Sequence, residues 1–189
     1  MKTQPFDEEF APQLPWLDLV NSQQWDGFGR LTDHLLDPAW VAAFLGYWGF
    51  RPEELGRARP IAQMAGLRDL LRHTTEKMAS GKSPGRGELR TLNTFLKAPG
   101  YLQLVTRKGQ ILGELKAVSR NWAWIRSQIA RSFVDSFLDQ PARLKICGNP
   151  LCRWAFLDQT KSNNRRWCND RRCGNRDRVR RSRARAARE

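Results

Sequence analysis

The sequence predicts a mainly α-helical protein with a helical N-terminal domain, residues 1–140, that includes a small β-hairpin, and a C-terminal four-cysteine module, residues 141–189. Three observations support this prediction. Apolar residues recur at intervals of three and four over much of the first part, as in amphipathic helices. Two extended runs flank a glycine-containing turn near residue 109. All four cysteines of the 189-residue chain lie between positions 147 and 173.

The first elements follow from capping signals and periodicity. Residues 1–15 hold three prolines and no periodic apolar pattern, so we expect a loose acidic leader that becomes ordered at Trp16. Asp37 followed by Pro38 predicts a helix start, with the aspartate as N-cap and the proline at the first helical position. Trp40, Phe44 and Trp48 then follow at helical spacing.

The remaining elements of residues 1–140 alternate between helical and extended patterns. Apolar residues predict a helix over 60–80 and a shorter one over 89–96, which Pro99-Gly100 ends. Residues 101–106 and 110–115 read as the two strands of a hairpin around Lys108-Gly109. Residues 118–138 return to helical spacing, and Pro141 begins the C-terminal part.

Composition and charge restrict the class of protein. Forty per cent apolar and 28% charged residues are typical of a globular chain. The N-terminus lacks the features of a secretory signal, and no apolar run approaches the roughly 20 residues that span a bilayer, so we expect a soluble, cytoplasmic protein without a membrane partner. Residues 141–189 hold 15 Lys+Arg against 4 Asp+Glu, a net of +11 that leaves only +3 for residues 1–140. Such asymmetry predicts a polyanionic partner for the C-terminal part.

The spacing Cys147-x4-Cys152-x15-Cys168-x4-Cys173 indicates a zinc site. Two close pairs joined by a loop can supply four thiolates to one tetrahedral ion. Disulfides are the rival interpretation, which a reducing compartment disfavours. A catalytic zinc would keep an open position, and His34 and His73 are far from the cysteines in sequence. We therefore expect one structural Zn²⁺, without which the module melts.

The cysteine segments also resemble a known family. Cys147-Gly-Asn-Pro-Leu-Cys152, then Asn164-Arg-Arg-Trp-Cys168, then Cys173-Gly174-Asn175-Arg176 resemble the bacterial CGNR zinc finger. In that family a mainly helical domain called ABATE precedes the finger, and Trp16-Leu17-Asp18-Leu19-Val20-Asn21 resembles its opening. Thr160 and Lys161 stand where the family usually has serine and arginine. The resemblance implies a stress-induced transcription regulator of the bacterial cytoplasm.

Arginines in and after the cysteine segment are the candidate nucleic-acid contacts. Those nearest the cysteines have an alternative role, because four thiolates and Zn²⁺ carry a net charge of −2 that attracts cations. Beyond them we expect a marginal helix, with Asn175 as its cap, that becomes firm on a phosphate backbone. Six phosphate contacts would give a salt slope of about −5. The candidate residues are Arg165, Arg166, Arg176, Arg178, Arg180, Arg181, Arg183 and Arg185.

Residues 1–140 show no catalytic set, and we expect no enzymatic activity. Asp18 and Asn21 are interpreted as helix caps rather than ligand-binding groups. The tryptophan-rich composition and the family resemblance favour a sensory unit with a small-molecule effector, or a homodimerising unit. The leading functional prediction is a zinc-dependent DNA-binding transcription regulator, nucleoid-associated when bound. An RNA-binding or ribosome-associated protein and a protein-interaction adaptor remain the alternatives.

Overall fold

Helices dominate the structure, a computed structural model that describes residues 14–52 and 58–187. Within those residues there are six α-helices and three two-stranded antiparallel sheets, which confirms the mainly helical class. The predicted leader lies almost wholly outside the described residues, as does Arg188. We call residues 1–140 the body and residues 141–189 the finger.

In chain order the body contains α1 (Pro15–Val20), β1 (Gln23–Trp25), β2 (Leu31–Asp33), α2 (Pro38–Tyr47), α3 (Ala58–Ala79), α4 (Arg86–Leu96), β3 (Gly100–Arg107), β4 (Gln110–Ala117) and α5 (Trp122–Asp139). The finger contains β5 (Leu144–Ile146), β6 (Ala155–Leu157) and α6 (Asn175–Ala186), and a π-helical turn, Asp170–Gly174, leads directly into α6. Short 3-10 turns, His34–Leu36 and Pro141–Arg143, precede α2 and β5.

The predicted start of α2 and the predicted turn between β3 and β4 are confirmed. Asp37 accepts a hydrogen bond from the Ala39 N–H at 2.9 Å, and Pro38 opens α2. Arg107 pairs with Gln110, so the β3–β4 turn has two residues, Lys108 and Gly109. Both have positive φ, of 49° and 76°, as a type I′ hairpin turn requires.

Helices α1, α3 and α5 enclose the core of the body. Trp16 of α1 is fully buried and packs edge-on against Phe133 of α5, with ring centroids 5.1 Å apart. Its indole Nε1 donates to Ser136 Oγ at 3.0 Å, so the one polar atom of this large side chain is satisfied.

The core continues from the body into the finger. Leu144 of β5 and Ala155 of β6 are both buried within the same apolar cluster as α1, α3 and α5. A second cluster joins the four cysteines to Phe156 and Trp167. The β5–β6 hairpin therefore has one side in the core of the body and the other against the cysteines.

Candidate metal centre and its arginine-rich helix

The four cysteines come together at one buried point. Cys147 and Cys152 lie in the loop between β5 and β6, Cys168 lies just before the π-helical turn, and Cys173 lies within it. Their Sγ atoms are all within 4.8 Å of one another, and every one of these side chains is buried. The structure therefore brings all four predicted ligands to a single site.

The spacing of the sulfurs fits zinc. Cys168 Sγ lies 3.7 Å from both Cys152 Sγ and Cys173 Sγ. Zn–S bonds of about 2.3 Å in a tetrahedron place sulfurs about 3.8 Å apart. Four protein ligands leave no open position, so the site is a structural one. Cys147, Cys152, Cys168 and Cys173 hold one structural Zn²⁺, as predicted.

The crowded thiols differ in their affinity for protons. Hydrogen bonding with Cys152 lowers the pKa of Cys147, and hydrogen bonding with Cys147 lowers the pKa of Cys173. The contact with Cys147 raises the pKa of both Cys152 and Cys168 above the usual value for a thiol. The protein alone therefore retains protons that four thiolate ligands must release when the metal binds.

Backbone hydrogen bonds hold the first cysteine loop in a tight curl. The N–H of Cys147 donates to the carbonyl of Trp154 at 2.8 Å, and the N–H of Gly148 donates to that of Arg166 at 2.8 Å. The Asn149 side chain accepts from the N–H of Leu151 at 3.1 Å. A Cβ on Gly148 would lie 2.9 Å from the Trp167 ring, so the close approach requires glycine.

The second cysteine segment is organised differently from the prediction. Asn175 does not cap α6, because it already has helical φ and ψ of −63° and −44°. Asn169 is the capping residue: its Oδ1 accepts from the N–H of Arg172 at 2.9 Å, one residue before the π-helical turn. The helix thus begins earlier, and Cys173 lies inside the continuous helical segment. Cys173 reaches the other three cysteines from within this helical segment, so the capping residue lies before it.

Asp158 organises the chain between the two cysteine pairs. It is fully buried, and its carboxylate accepts from the Thr160 hydroxyl at 2.6 Å and from the Arg165 N–H at 2.8 Å. These hydrogen bonds lower the pKa of Asp158 although burial opposes them. Thr160 therefore supplies a hydroxyl donor at the position where the family usually has serine.

The arginines nearest the metal have internal partners. Arg165 donates to the carbonyls of Trp167 and Cys168, and its guanidinium lies over the Phe156 ring at 5.2 Å. Arg166 is exposed and stacks on Trp167 at 5.1 Å. Arg176 donates to the Asp26 carbonyl at 2.9 Å and stacks on Phe28 at 4.4 Å. The structure thus gives Arg165 and Arg176 structural contacts within the protein.

The later arginines project from the finger. Every residue from Arg178 to Ala187 is exposed. Asp177 is only 5% exposed and pairs with Arg180 and Arg181 three and four residues on, while Arg178 pairs with Asp170 at 3.2 Å. These ion pairs offset part of the repulsion expected along α6. The helix forms over Asn175–Ala186 in the structure.

The body holds the finger through side chains that the sequence did not identify as contacts. The Asn21 amide donates to the carbonyl of Ala155 and accepts from its N–H, both at 2.9 Å and both buried. Asp18 accepts from Trp48 Nε1 at 2.9 Å. The interpretation as a helix cap is therefore wrong for Asp18, which binds an indole. Asn21 does take the C-cap position of α1 with its backbone, while its side chain docks β6.

A cation–aromatic cluster forms a second contact between body and finger. Trp25 of β1 has the Arg72 guanidinium at 5.3 Å from its ring and that of Arg153 at 5.0 Å. Glu76 pairs with Arg153 at 2.9 Å, and Arg72 donates to the Arg153 carbonyl at 3.1 Å. Burial lowers the pKa of Arg72 to about 10, so its charge persists at neutral pH. In the sequence, the one signal for this cluster is that arginines occur within the apolar pattern of α3.

A closed four-thiolate finger packed on a helical body defines a zinc-finger protein. Residues 143–186 match the family model described as "CGNR zinc finger", and residues 14–140 match ABATE, described as "Putative stress-induced transcription regulator". The chain belongs to the ABATE family, which confirms the resemblance seen in the sequence. No significantly similar curated protein was found. The family and the metal site together indicate a zinc-binding regulator.

No helix among the described residues is both long and apolar enough to cross a membrane.

Proposed function

We propose that the protein is a zinc-dependent, non-enzymatic DNA-binding transcription regulator, which acts in the cytoplasm at the nucleoid and reads duplex DNA with α6. The observation that carries this proposal is the placement of arginines on a projecting helix that the metal site anchors. Because Cys173 lies in the π-helical turn that runs directly into α6, zinc bound there would fix the direction in which the helix leaves the finger.

The arginines of α6 form two rows. At 100° per residue, Arg176, Arg180 and Arg183 lie on one side of the helix, and Arg178, Arg181 and Arg185 lie on roughly the opposite side. A major groove about 12 Å wide admits one α-helix, with phosphates on both of its walls. Two opposite rows of guanidinium groups suit that geometry. The deep, narrow major groove of duplex RNA does not admit such a helix.

The test is binding of the zinc-loaded chain to duplex DNA across a range of salt concentrations. If the five arginines Arg178, Arg180, Arg181, Arg183 and Arg185 contact phosphate, log affinity should fall with log salt at a slope of about −4.5. The variant Arg183→Gln with Arg185→Gln should reduce the slope by about 2. Arg90→Gln with Arg131→Gln removes the same charge from exposed positions of the body and should leave the slope unchanged.

Two results would contradict the proposal. A slope near zero would show that the arginines do not contact phosphate. Tighter binding to structured RNA than to duplex DNA in competition would favour the RNA-binding alternative. Salt-independent binding of a protein partner that survives nuclease would favour the adaptor alternative.

We also propose that the body associates with a second copy of the chain through the β3–β4 hairpin. On one face of this hairpin the register places Leu102 and Leu104 beside Leu115, Gly113 and Ile111, and the face carries no charged side chain. Leu102, Leu104 and Ile111 are 69%, 70% and 74% exposed. An uncharged apolar face is complementary to itself, as a two-fold interface requires.

Sedimentation measures this association. Wild-type protein should be a dimer at micromolar concentration, and Leu104→Lys should be a monomer. Leu138→Lys places the same charge at a position 68% exposed on α5 and should remain dimeric. A monomeric wild type would contradict the dimer. A small-molecule effector of the body stays a prediction, which a thermal-shift screen of metabolites tests.

A further inference from the structure

An apolar groove of about 500 Å³ lies beside α6, on the side that carries Arg180 and Arg183. Its apolar lining comes from three different parts of the chain: Phe28 in the β1–β2 loop of the body, Leu151 in the first cysteine loop, and Val179 in α6. These side chains are 73%, 43% and 42% exposed. The body and the finger thus build this surface together.

The loop that carries Phe28 is held in place. The Asp26 carboxylate accepts from the N–H groups of Phe28 at 2.7 Å and Arg30 at 3.2 Å. Gly27 and Gly29 have positive φ, of 84° and 104°, which lets the chain turn sharply on either side of the aromatic residue. Arg176 ties the loop to α6 by donating to the Asp26 carbonyl and stacking on the Phe28 ring. The exposed ring is therefore presented at a fixed position.

The charges around the groove select the partner. Arg176, Arg180 and Arg183 line it, whereas its one acidic lining residue, Asp177, is only 5% exposed and already paired with Arg180 and Arg181. A cationic rim above an apolar floor suits one strand of duplex DNA. Its phosphates can meet guanidinium groups while its deoxyribose and thymine methyl groups meet apolar side chains.

We infer that this groove receives one strand of the bound duplex, and that Phe28 makes the ABATE body itself part of the DNA interface. The inference rests on the proposed function, since it needs α6 to bind DNA. It adds a role for the body in the affinity of that complex, through contact with sugars and bases rather than with phosphates. The apolar contacts should then be independent of salt.

The experiment compares Phe28→Ala and Leu151→Ala with wild type, all zinc-loaded, on the same duplex across salt. Phe28→Ala should weaken binding by about tenfold, and Leu151→Ala by a smaller factor, with the salt slope unchanged because no phosphate contact is lost. Leu138→Ala removes a side chain that is 68% exposed on α5, outside the proposed dimer face, and should bind like wild type. Melting temperature and zinc content verify that each variant is folded.

A second measurement covers the case in which Phe28→Ala disturbs the packing of Arg176. The photoreactive residue p-benzoylphenylalanine at position 28 should crosslink to the duplex, and the same residue at position 138 should not. One set of results would overturn this inference but not the proposed function. In that case wild type binds with a steep salt slope, both alanine variants bind within twofold of wild type, and position 28 gives no crosslink. Wild type without salt-dependent binding would overturn the proposed function as well.

Discussion

Asp18 is a carboxyl group whose protonation is linked to folding. It lies in α1 against the indole of Trp48. Burial raises the pKa of Asp18 from 3.8 to about 7, and the hydrogen bond from Trp48 only partly opposes this shift. Between these two pH values the folded state holds the proton more tightly than the unfolded state does. The contribution of Asp18 to stability therefore falls as the pH rises from about 4 to 7, and the penalty persists above that range.

Asp18→Asn should raise the melting temperature at pH 8, because the amide carries no charge to desolvate and can still accept from Trp48. A gain of roughly 2–4 °C is expected for each kcal/mol recovered. The difference from wild type should shrink at pH 5.5, where Asp18 is mostly protonated in the folded protein. Thermal melts of the zinc-loaded proteins at both pH values measure this effect. Equal melting temperatures at pH 8 would show that the buried charge has no cost.

Gly148 is a position where a single methyl group should weaken the metal site. Its Cβ would lie 2.9 Å from the Trp167 ring, which packs against the cysteines, and 3.1 Å from the Arg166 carbonyl oxygen, which accepts from the Gly148 N–H. Overpacking of this kind costs about 1–3 kcal/mol. Gly148→Ala should therefore weaken zinc retention by roughly 5- to 150-fold, measured by competition with a chelator.

The matched control is Gly66→Ala in α3, where a Cβ meets nothing within 4 Å. This change should leave zinc affinity unaltered and stabilise the body by about 0.5–1 kcal/mol, since alanine favours the helix interior. If both variants retained zinc equally well, the packing around Gly148 would not matter for the site.

Among the elements, α6 depends most directly on the metal. A 12-residue helix is marginal in isolation, and this one carries six arginines against one aspartate. It is anchored by Cys173 in the preceding π-helical turn and by the buried Asp177 in its own first turn. Removal of zinc should therefore melt α6 while α3 and α5 remain helical.

Circular dichroism with and without a chelator checks this expectation. The helical signal should fall by the equivalent of about one short helix, and Cys173→Ser should show the reduced signal even with zinc present. An unchanged spectrum on chelation would mean that α6 is stable without the metal.

Long periodic elements could be predicted from the sequence, and short ones could not. Helices α2 to α5 and the β3–β4 hairpin are predictable because each has a cap, a periodic face or a glycine-containing turn. Strands β1, β2, β5 and β6 have three residues each, too few for an alternating pattern to appear. They form because side chains elsewhere hold them, as Asn21 holds Ala155.

At the candidate site, the metal ligands are predictable from the sequence, whereas the helix cap and the body contacts of Arg176 are not. Cysteine spacing identified all four ligands, since two close cysteine pairs joined by a loop are typical of tetrahedral zinc ligation. The sequence places the cap at Asn175, which precedes an acidic first turn, because no sequence pattern indicates the π-helical turn at Asp170–Gly174. The partners of Arg176 in the body lie about 150 positions away, so spacing could not reveal them.

At the scale of the whole molecule, body and finger fold as coupled parts. Asn21 satisfies both backbone polar groups of Ala155 inside the core, and Leu144 packs in the same apolar cluster as α1, α3 and α5. Each buried backbone group left unpaired costs about 1–3 kcal/mol. Loss of the Asn21 side chain should therefore weaken the whole molecule rather than one contact.

Asn21→Ala should lower the melting temperature and split a single unfolding transition into two, with the finger unfolding first. Gln24→Ala removes an exposed amide that contacts His34 and should leave one transition. Denaturant unfolding followed by circular dichroism and by zinc release distinguishes these outcomes. Zinc release that coincides with loss of body helicity in Asn21→Ala would show that the amide is not needed for coupling.

The contact between Asn21 and Ala155 also links zinc binding by the finger to ligand binding by the body. If a molecule binds the body and favours the conformation in which Asn21 engages Ala155, it increases the affinity of the finger for zinc. Thermodynamic linkage then requires zinc to increase the affinity of the body for that molecule by the same factor. The concentration of free zinc in the cell would thereby change the affinity of the body for that molecule, although the molecule does not contact the metal.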